Sequence, residues 1–248
     1  MSLQYSDTTN YRGILQTIED ELGFKRADIT GNTVLLKNFT SLVNLTWDDY
    51  LQIALPASGT WQFDDSNFTD YPVIKANLVD GQEDYTFTTD EGGNLILDIY
   101  KVAILPSATS TLYEEIYPID QQTRDHAPDL VSETTAKGVP RQYDKTANAV
   151  ILTPTPSYNA TNGIKIYINR EASYFTTTDA TKKPGCPGIH HKYFALKPAL
   201  DYARRHSMSS EVSLRNEVQL MERAIKEYFG KRSKDDVPVI RHKKINYI

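Results

Sequence analysis

A single cysteine, Cys186, in 248 residues leaves no partner for an internal disulfide. That excludes the stapled secreted domains and fits assembly in a reducing compartment. No stretch approaches the roughly 20 apolar residues that span a bilayer. The opening Met1-Ser2-Leu3-Gln4-Tyr5-Ser6-Asp7 has neither the basic start nor the apolar run of an export signal, so no such signal is expected. Also lacking are a Gly-x-x-x-x-Gly-Lys-Ser/Thr phosphate loop, a Gly-x-Ser-x-Gly elbow, a His-Glu-x-x-His pair and a Cys-x-x-Cys pair. The common catalytic scaffolds therefore leave no trace, and no internal repeat stands in their place.

Positive charge is scarce until late in the chain. Residues 1–60 carry 4 basic and 7 acidic side chains, residues 61–188 carry 10 and 18, and residues 189–248 carry 13 and 7. A central region this acidic forgoes the counterion release that drives binding to nucleic acid, so sequence-specific readout of DNA is not expected from it. Against these absences, 40% of the residues are hydrophobic, enough for a core without metal or disulfide support.

The apolar residues change period along the chain. Tyr11, Ile14, Leu15, Ile18 and Leu22 share a helical face ahead of Gly23, and a second helical pattern runs from Leu35 through Phe39, Leu42, Val43, Trp47 and Tyr50 to Ala54, ahead of Pro56. Residues 1–60 thus predict a helical hairpin. From residue 61 to 188 short stretches rich in β-branched and aromatic residues alternate with turn signals. The expected strands are 73–79, 85–88, 95–105, 112–117, 149–153 and 164–170, and Asp80-Gly81, Gly92-Gly93-Asn94 and Asn162-Gly163 are read as turns. Helical spacing returns over 189–230, first from His190 to about Ser207 and then through Leu214, Val218, Met221, Ile225 and Tyr228. The expected fold is α+β, a helical bundle made by the two ends of the chain with an antiparallel β-sandwich or barrel-like module inserted between them. Residues 231–248 read as an extended basic tail in which Arg241, His242, Lys243 and Lys244 lead into Ile245, Tyr247 and Ile248. Charged residues leading into an apolar end suit ordering on a partner.

Three groups of residues could carry chemistry. Cys186, His190, His191 and His206 have donor atoms for zinc, but a cysteine in a proline-glycine turn beside two partly exposed histidines is the favoured reading. The loop Asp64-Asp65-Ser66-Asn67-Phe68-Thr69-Asp70 alternates oxygen donors, yet it lacks the glycine and glutamate of an EF-hand. Its expected role is local: Asp64 and Asp65 bonding backbone N–H groups while Trp61, Phe63, Phe68 and Tyr71 anchor the loop or contact a partner. A hydrolase built on Asp64 or Asp65 with a histidine lacks a supporting constellation. No metal, cofactor or enzymatic activity is expected.

The strings Trp61-Gln62-Phe63-Asp64-Asp65-Ser66-Asn67-Phe68-Thr69-Asp70-Tyr71-Pro72, Asn77-Leu78-Val79-Asp80-Gly81-Gln82 and Asp84-Tyr85 occur in that order. They continue through Leu97-Asp98-Ile99, Tyr117-Pro118-Ile119-Asp120, Gly138-Val139-Pro140, Ile151-Leu152-Thr153-Pro154-Thr155-Pro156 and Ile164-Lys165-Ile166-Tyr167-Ile168-Asn169-Arg170. The chain so resembles the head-to-tail adaptor, or head-completion, family of tailed bacteriophages, which includes tail accessory factors, tail tubular proteins and ring proteins. The likeness covers most of the chain and rests on order and extent; none of the strings is catalytic. It implies a structural homo-oligomer of about twelve copies, closing head to tail around the DNA passage at the portal vertex of the virion, assembled in the host cytoplasm. The implied partners are the portal protein, reached by the tail at Arg241, His242, Lys243, Lys244, Ile245, Tyr247 and Ile248, and the next tail or ring protein; no membrane is involved. The alternative is a tail-associated carbohydrate-binding module using the aromatic, acidic stretch from Trp61 to Tyr71.

Overall fold

The computed structural model describes residues 2–58, 73–90, 93–119, 137–145 and 149–232. The chain is α+β and divides into two compact units. One holds residues 14–58 and 192–232 and is helical; the other holds residues 2–13 and the described residues from 73 to 191 and contains the sheet. The chain crosses between them at Gly13-Ile14 and His191-Lys192. The first residues therefore belong with the strands, where Tyr5 stacks on Phe175 at 4.6 Å and its N–H donates to the Lys182 carbonyl at 2.7 Å.

In the helical unit α1 spans Ile14–Leu22, α2 Thr33–Ser58, α3 Tyr193–Arg205 and α4 Glu211–Arg232. Helix α1 starts later than the periodicity predicts because the Asp7 carboxylate accepts the N–H groups of Thr9 and Asn10 in a separate turn. It stops at Gly23, whose φ of +69° is open to glycine without strain. Helix α2 begins where the Asn32 side-chain oxygen accepts the N–H groups of Val34 and Leu35. It runs past Pro56 to Ser58, so that proline lies within its last turn. The loop between α1 and α2 is tied back by Glu19, whose carboxylate accepts the N–H of Ile29 at 2.9 Å and of Ala27 at 3.2 Å.

Helix α3 is the hub, packed against α1, α2 and α4. Eight of its thirteen residues are buried, and the polar remainder, Lys197, Asp201, Arg204 and Arg205, falls on one narrow face. Around it lies an aromatic cluster in which the Phe194 ring sits 4.4 Å from Trp47 and 5.4 Å from Tyr50, with Phe229 6.1 Å from Tyr50. Polar groups of α3 and of its N-cap residue Lys192 reach all three neighbours. Lys192 pairs with Glu21 of α1 and Glu217 of α4, and Lys197 with Asp49 of α2. Helix α4 buries Leu214, Val218, Ile225 and Phe229, leaving Tyr228 on the exposed side.

The strands of the other unit are β1 Val73–Leu78, β2 Asp84–Thr86, β3 Ile96–Ile104, β4 Glu114–Pro118, β5 Lys137–Gly138, β6 Gln142–Lys145, β7 Ala149–Thr153, β8 Thr155–Pro156 and β9 Ala160–Arg170. Seven form one sheet in the order β1-β9-β3-β4-β6-β7-β2, while β5 and β8 pair separately. Every junction in the large sheet is antiparallel except β4 with β6, so the expected antiparallel module is mixed at one point. Of the two expected shapes the barrel-like one is present, and chain length requires it. The outermost strands β1 and β2 are consecutive, joined by residues 79–83. That link reaches about 21 Å fully extended, whereas seven strands laid flat span about 29 Å. The sheet must curl, and the Tyr85 hydroxyl seals the gap by accepting the Val79 N–H at 3.0 Å. One core fills the concave side, with Val102, Val150, Ile164, Ile166 and Ile168 fully buried.

Asn162-Gly163, expected as a turn, lies inside β9. The β1 register shifts there, Ala76 facing Ile164 but Leu78 facing Ala160, and Asn162 takes φ +52° while its N–H is held by the Asn77 side chain. A Cβ on Gly163 would stand 2.6 Å from the Leu78 Cβ, so the bulge admits only glycine.

Candidate functional site

Both sets of sequence-predicted residues fall outside the described structure. These are Trp61, Phe63, Asp64, Asp65, Phe68 and Tyr71 in the aromatic, acidic stretch, and Arg241, His242, Lys243, Lys244, Ile245, Tyr247 and Ile248 in the tail. The described chain enters the first from Ser58 and leaves it at Val73, and it enters the second from Arg232.

The cysteine-histidine group is described, and it corrects the expectation of partly exposed histidines. Cys186 is fully buried, and His190 and His191 are 3% and 2% exposed. His191 Nε2 donates to the Cys186 carbonyl at 3.0 Å, which leaves Nδ1 bare to accept the Leu3 N–H at 2.9 Å. Both ring nitrogens thus staple residues 2–13 to the turn at 184–188 and offer no lone pair to a metal. Among the described residues no group of three or more His, Cys, Asp or Glu side chains could hold a metal ion.

Burial holds the His190 pKa down at about 4, reinforced by His191, and lowers that of His191 against the opposing pull of the Cys186 and Leu3 carbonyls, each 3.0 Å from one of its ring nitrogens. Both rings are therefore neutral in the folded chain near neutrality. The unfolded chain takes up these protons near pH 6.5, so the stability they supply is complete above that value and is lost as pH falls below it, for His190 down to about 4. Between pH 7.5 and pH 5 the loss at His190 is on the order of 2 kcal/mol. Urea midpoints across that range are expected to fall, and less steeply for His190→Leu; an unchanged slope in the variant would assign the fall to other groups.

The helical unit has a shallow groove of about 490 Å³ lined by Phe24, Leu35 and Tyr202, with Asp28 and Asn32 at its rim. Those two polar side chains already serve the backbone, Asp28 accepting the Lys25 N–H and Asn32 capping α2. The groove can hold an apolar side chain but has no acid-base pair facing it.

On the convex face of the sheet the pleat brings together groups that sequence reading did not combine. Lys75 of β1 stands opposite Lys165 of β9, and Lys101 of β3 opposite Tyr167 of β9. Lys165 Nζ lies 5.0 Å from the Tyr167 ring centroid and 5.5 Å from that of Tyr113; Lys101 Nζ lies 5.5 Å from Tyr167 and 2.7 Å from the Glu115 carboxylate. Glu115 keeps Lys101 charged by raising its pKa. The signal was the alternation Ile164-Lys165-Ile166-Tyr167-Ile168, which puts every second residue on one face. Such a face can recognise carboxylates and flat apolar groups; it has no nucleophile-base pair.

No helix among the described residues is long and apolar enough to cross a membrane. Neither the protein-family models nor the curated proteins compared with this sequence give a match.

Proposed function

We propose that this chain is the structural subunit of a head-to-tail adaptor ring in a tailed-phage virion, joining the portal to the next tail component around the DNA passage. The observation that carries the reading is the way residues 14–58 and 192–232 meet in one helical unit, hub helix α3 buried among α1, α2 and α4, while the described residues from 73 to 191 form a separate curled sheet. That is the arrangement the apolar periodicity predicts, and it suits the ring that the family resemblance implies. The division of labour follows from it: helices supply a rigid ring segment, the sheet presents surfaces, and the tail beyond α4 docks on the portal. Ordering of the tail would let Arg241, Lys243 and Lys244 meet acidic sites while Ile245, Tyr247 and Ile248 fill apolar grooves.

Electron microscopy of the purified chain with and without portal rings tests the whole reading. Closed rings seated on the portal are expected, and a truncation after Lys234 is expected to lose that seating while keeping its helical content. Full-affinity binding by the truncated chain would remove the tail from the mechanism, and absence of any ring on the portal would overturn the function.

A further inference from the structure

The Lys75-Lys165 pair on the convex sheet face is unusual in one respect. Like charges directly opposite on antiparallel strands repel, with their Cβ atoms about 5 Å apart. Neither lysine has a carboxylate within ion-pairing distance among the described residues, whereas Lys101 in the next row has Glu115 at 2.7 Å. Lys165 is instead held between the rings of Tyr113 and Tyr167, which fixes its charge in place without neutralising it. Ala103, opposite both Lys165 and Glu115, is itself only 4% exposed, so the surface of this face is made by the longer side chains around it. A ligand for this face brings carboxylates to the two lysines and apolar or aromatic groups to the tyrosines.

We propose that the occupant is the acidic, aromatic segment 61–71 of a second copy of this chain. It carries three aspartates (Asp64, Asp65 and Asp70), four aromatics (Trp61, Phe63, Phe68 and Tyr71) and no cation, the complement of the lysine-tyrosine face. A long polyanion such as nucleic acid fits worse, because residues 61–188 carry 18 acidic against 10 basic side chains and repel it beyond the patch. β1 starts at Val73, two residues before Lys75, and docking of the chain's own segment is one of the outcomes the test separates. Segment of one copy on face of the next is a heterologous contact, which propagates head to tail and closes a ring when the rotation permits. The inference thus takes self-association from the adaptor reading and names a contact that produces it.

Charge exchange tests it, with self-association followed by sedimentation velocity and seating on portal rings followed by microscopy. Lys75→Glu with Lys165→Glu in one chain, and Asp64→Lys, Asp65→Lys and Asp70→Lys in another, are each expected to weaken self-association about tenfold or more. An equimolar mixture of the two reversed chains is expected to recover it, because each negative face then meets a positive segment; this recovery also shows that both variants are folded. Rings formed equally well by either reversed chain alone overturn the docking and leave the adaptor reading standing. So does unchanged association with lowered thermal stability, the sign of docking within one chain, and so does loss of binding to a thymidine oligonucleotide in place of lost self-association. A wild-type chain that never self-associates, with or without portal rings, overturns both.

Discussion

Replacing Phe194 by alanine is expected to destabilise the helical unit by about 3 to 5 kcal/mol, the range for truncating a fully buried aromatic. The ring has no solvent exposure and sits where three helices converge on α3, between Trp47 at 4.4 Å and Tyr50 at 5.4 Å. Close-packed surroundings of this kind relax little around a void, so the lost contacts add to the lost transfer energy. Phe194→Leu keeps most of the volume and gives up mainly the ring geometry, so about 1 kcal/mol is expected there. Urea unfolding followed by far-ultraviolet circular dichroism measures both, and Trp47 beside the site gives a fluorescence signal from the same transition. A loss below about 1 kcal/mol for the alanine variant would show that α3 is not the centre of this core. The consequence for the adaptor reading is direct, because a ring segment must keep its neighbour-facing surfaces in fixed relation.

The helices were legible because their apolar residues repeat at helical spacing over two turns or more, as in Phe39, Val43, Trp47 and Tyr50. Their ends were less so. Asp7, Asn32 and Pro56 each moved a boundary through a local hydrogen bond or a tolerated position that spacing does not encode. Helix α3 shows a different difficulty, since Pro198 inside it invites a break that the continuous polar face of Lys197, Asp201 and Arg205 does not. For the strands, alternation located β3, β7 and most of β9, but β5 and β8 are two residues each and leave no period to detect. The parallel junction of β4 with β6 depends on chain paths far apart in sequence. Asn162-Gly163 misled because the dipeptide that makes hairpin turns also makes bulges, and only the approach of Leu78 distinguishes them. Among the surfaces, Lys165 and Tyr167 could be placed on one face from sequence, while Lys75 and Lys101 join them only through registers with β1 and β3.

Asp90→Ala is expected to destabilise the sheet unit by about 3 kcal/mol, far more than loss of the other ion pairs of that unit. Arg170 at the end of β9 and Asp90 in the turn ahead of β3 are only 8% and 13% exposed in their side chains, with Nε and Oδ2 3.1 Å apart. By contrast Lys137 and Asp80 are 54% and 46% exposed, and such a pair contributes about 0 to 1 kcal/mol. Removing Asp90 leaves a guanidinium in a site with little water and also frees the Asn94 N–H, which the same carboxylate accepts at 2.8 Å. Arg170→Met removes the charge but leaves Asp90 its bonds to Asn94, so about half the loss is expected. The double variant, with no buried charge left behind, should be more stable than the sum of the single losses predicts. Urea unfolding of the four chains gives that coupling directly, and strict additivity would mean the pair acts as two independent polar groups. Because Arg170 lies on the same strand as Lys165 and Tyr167, the alanine variant should also loosen the convex face. Amide exchange along β9 is then expected to rise from Arg170 inward before the rest of the sheet opens.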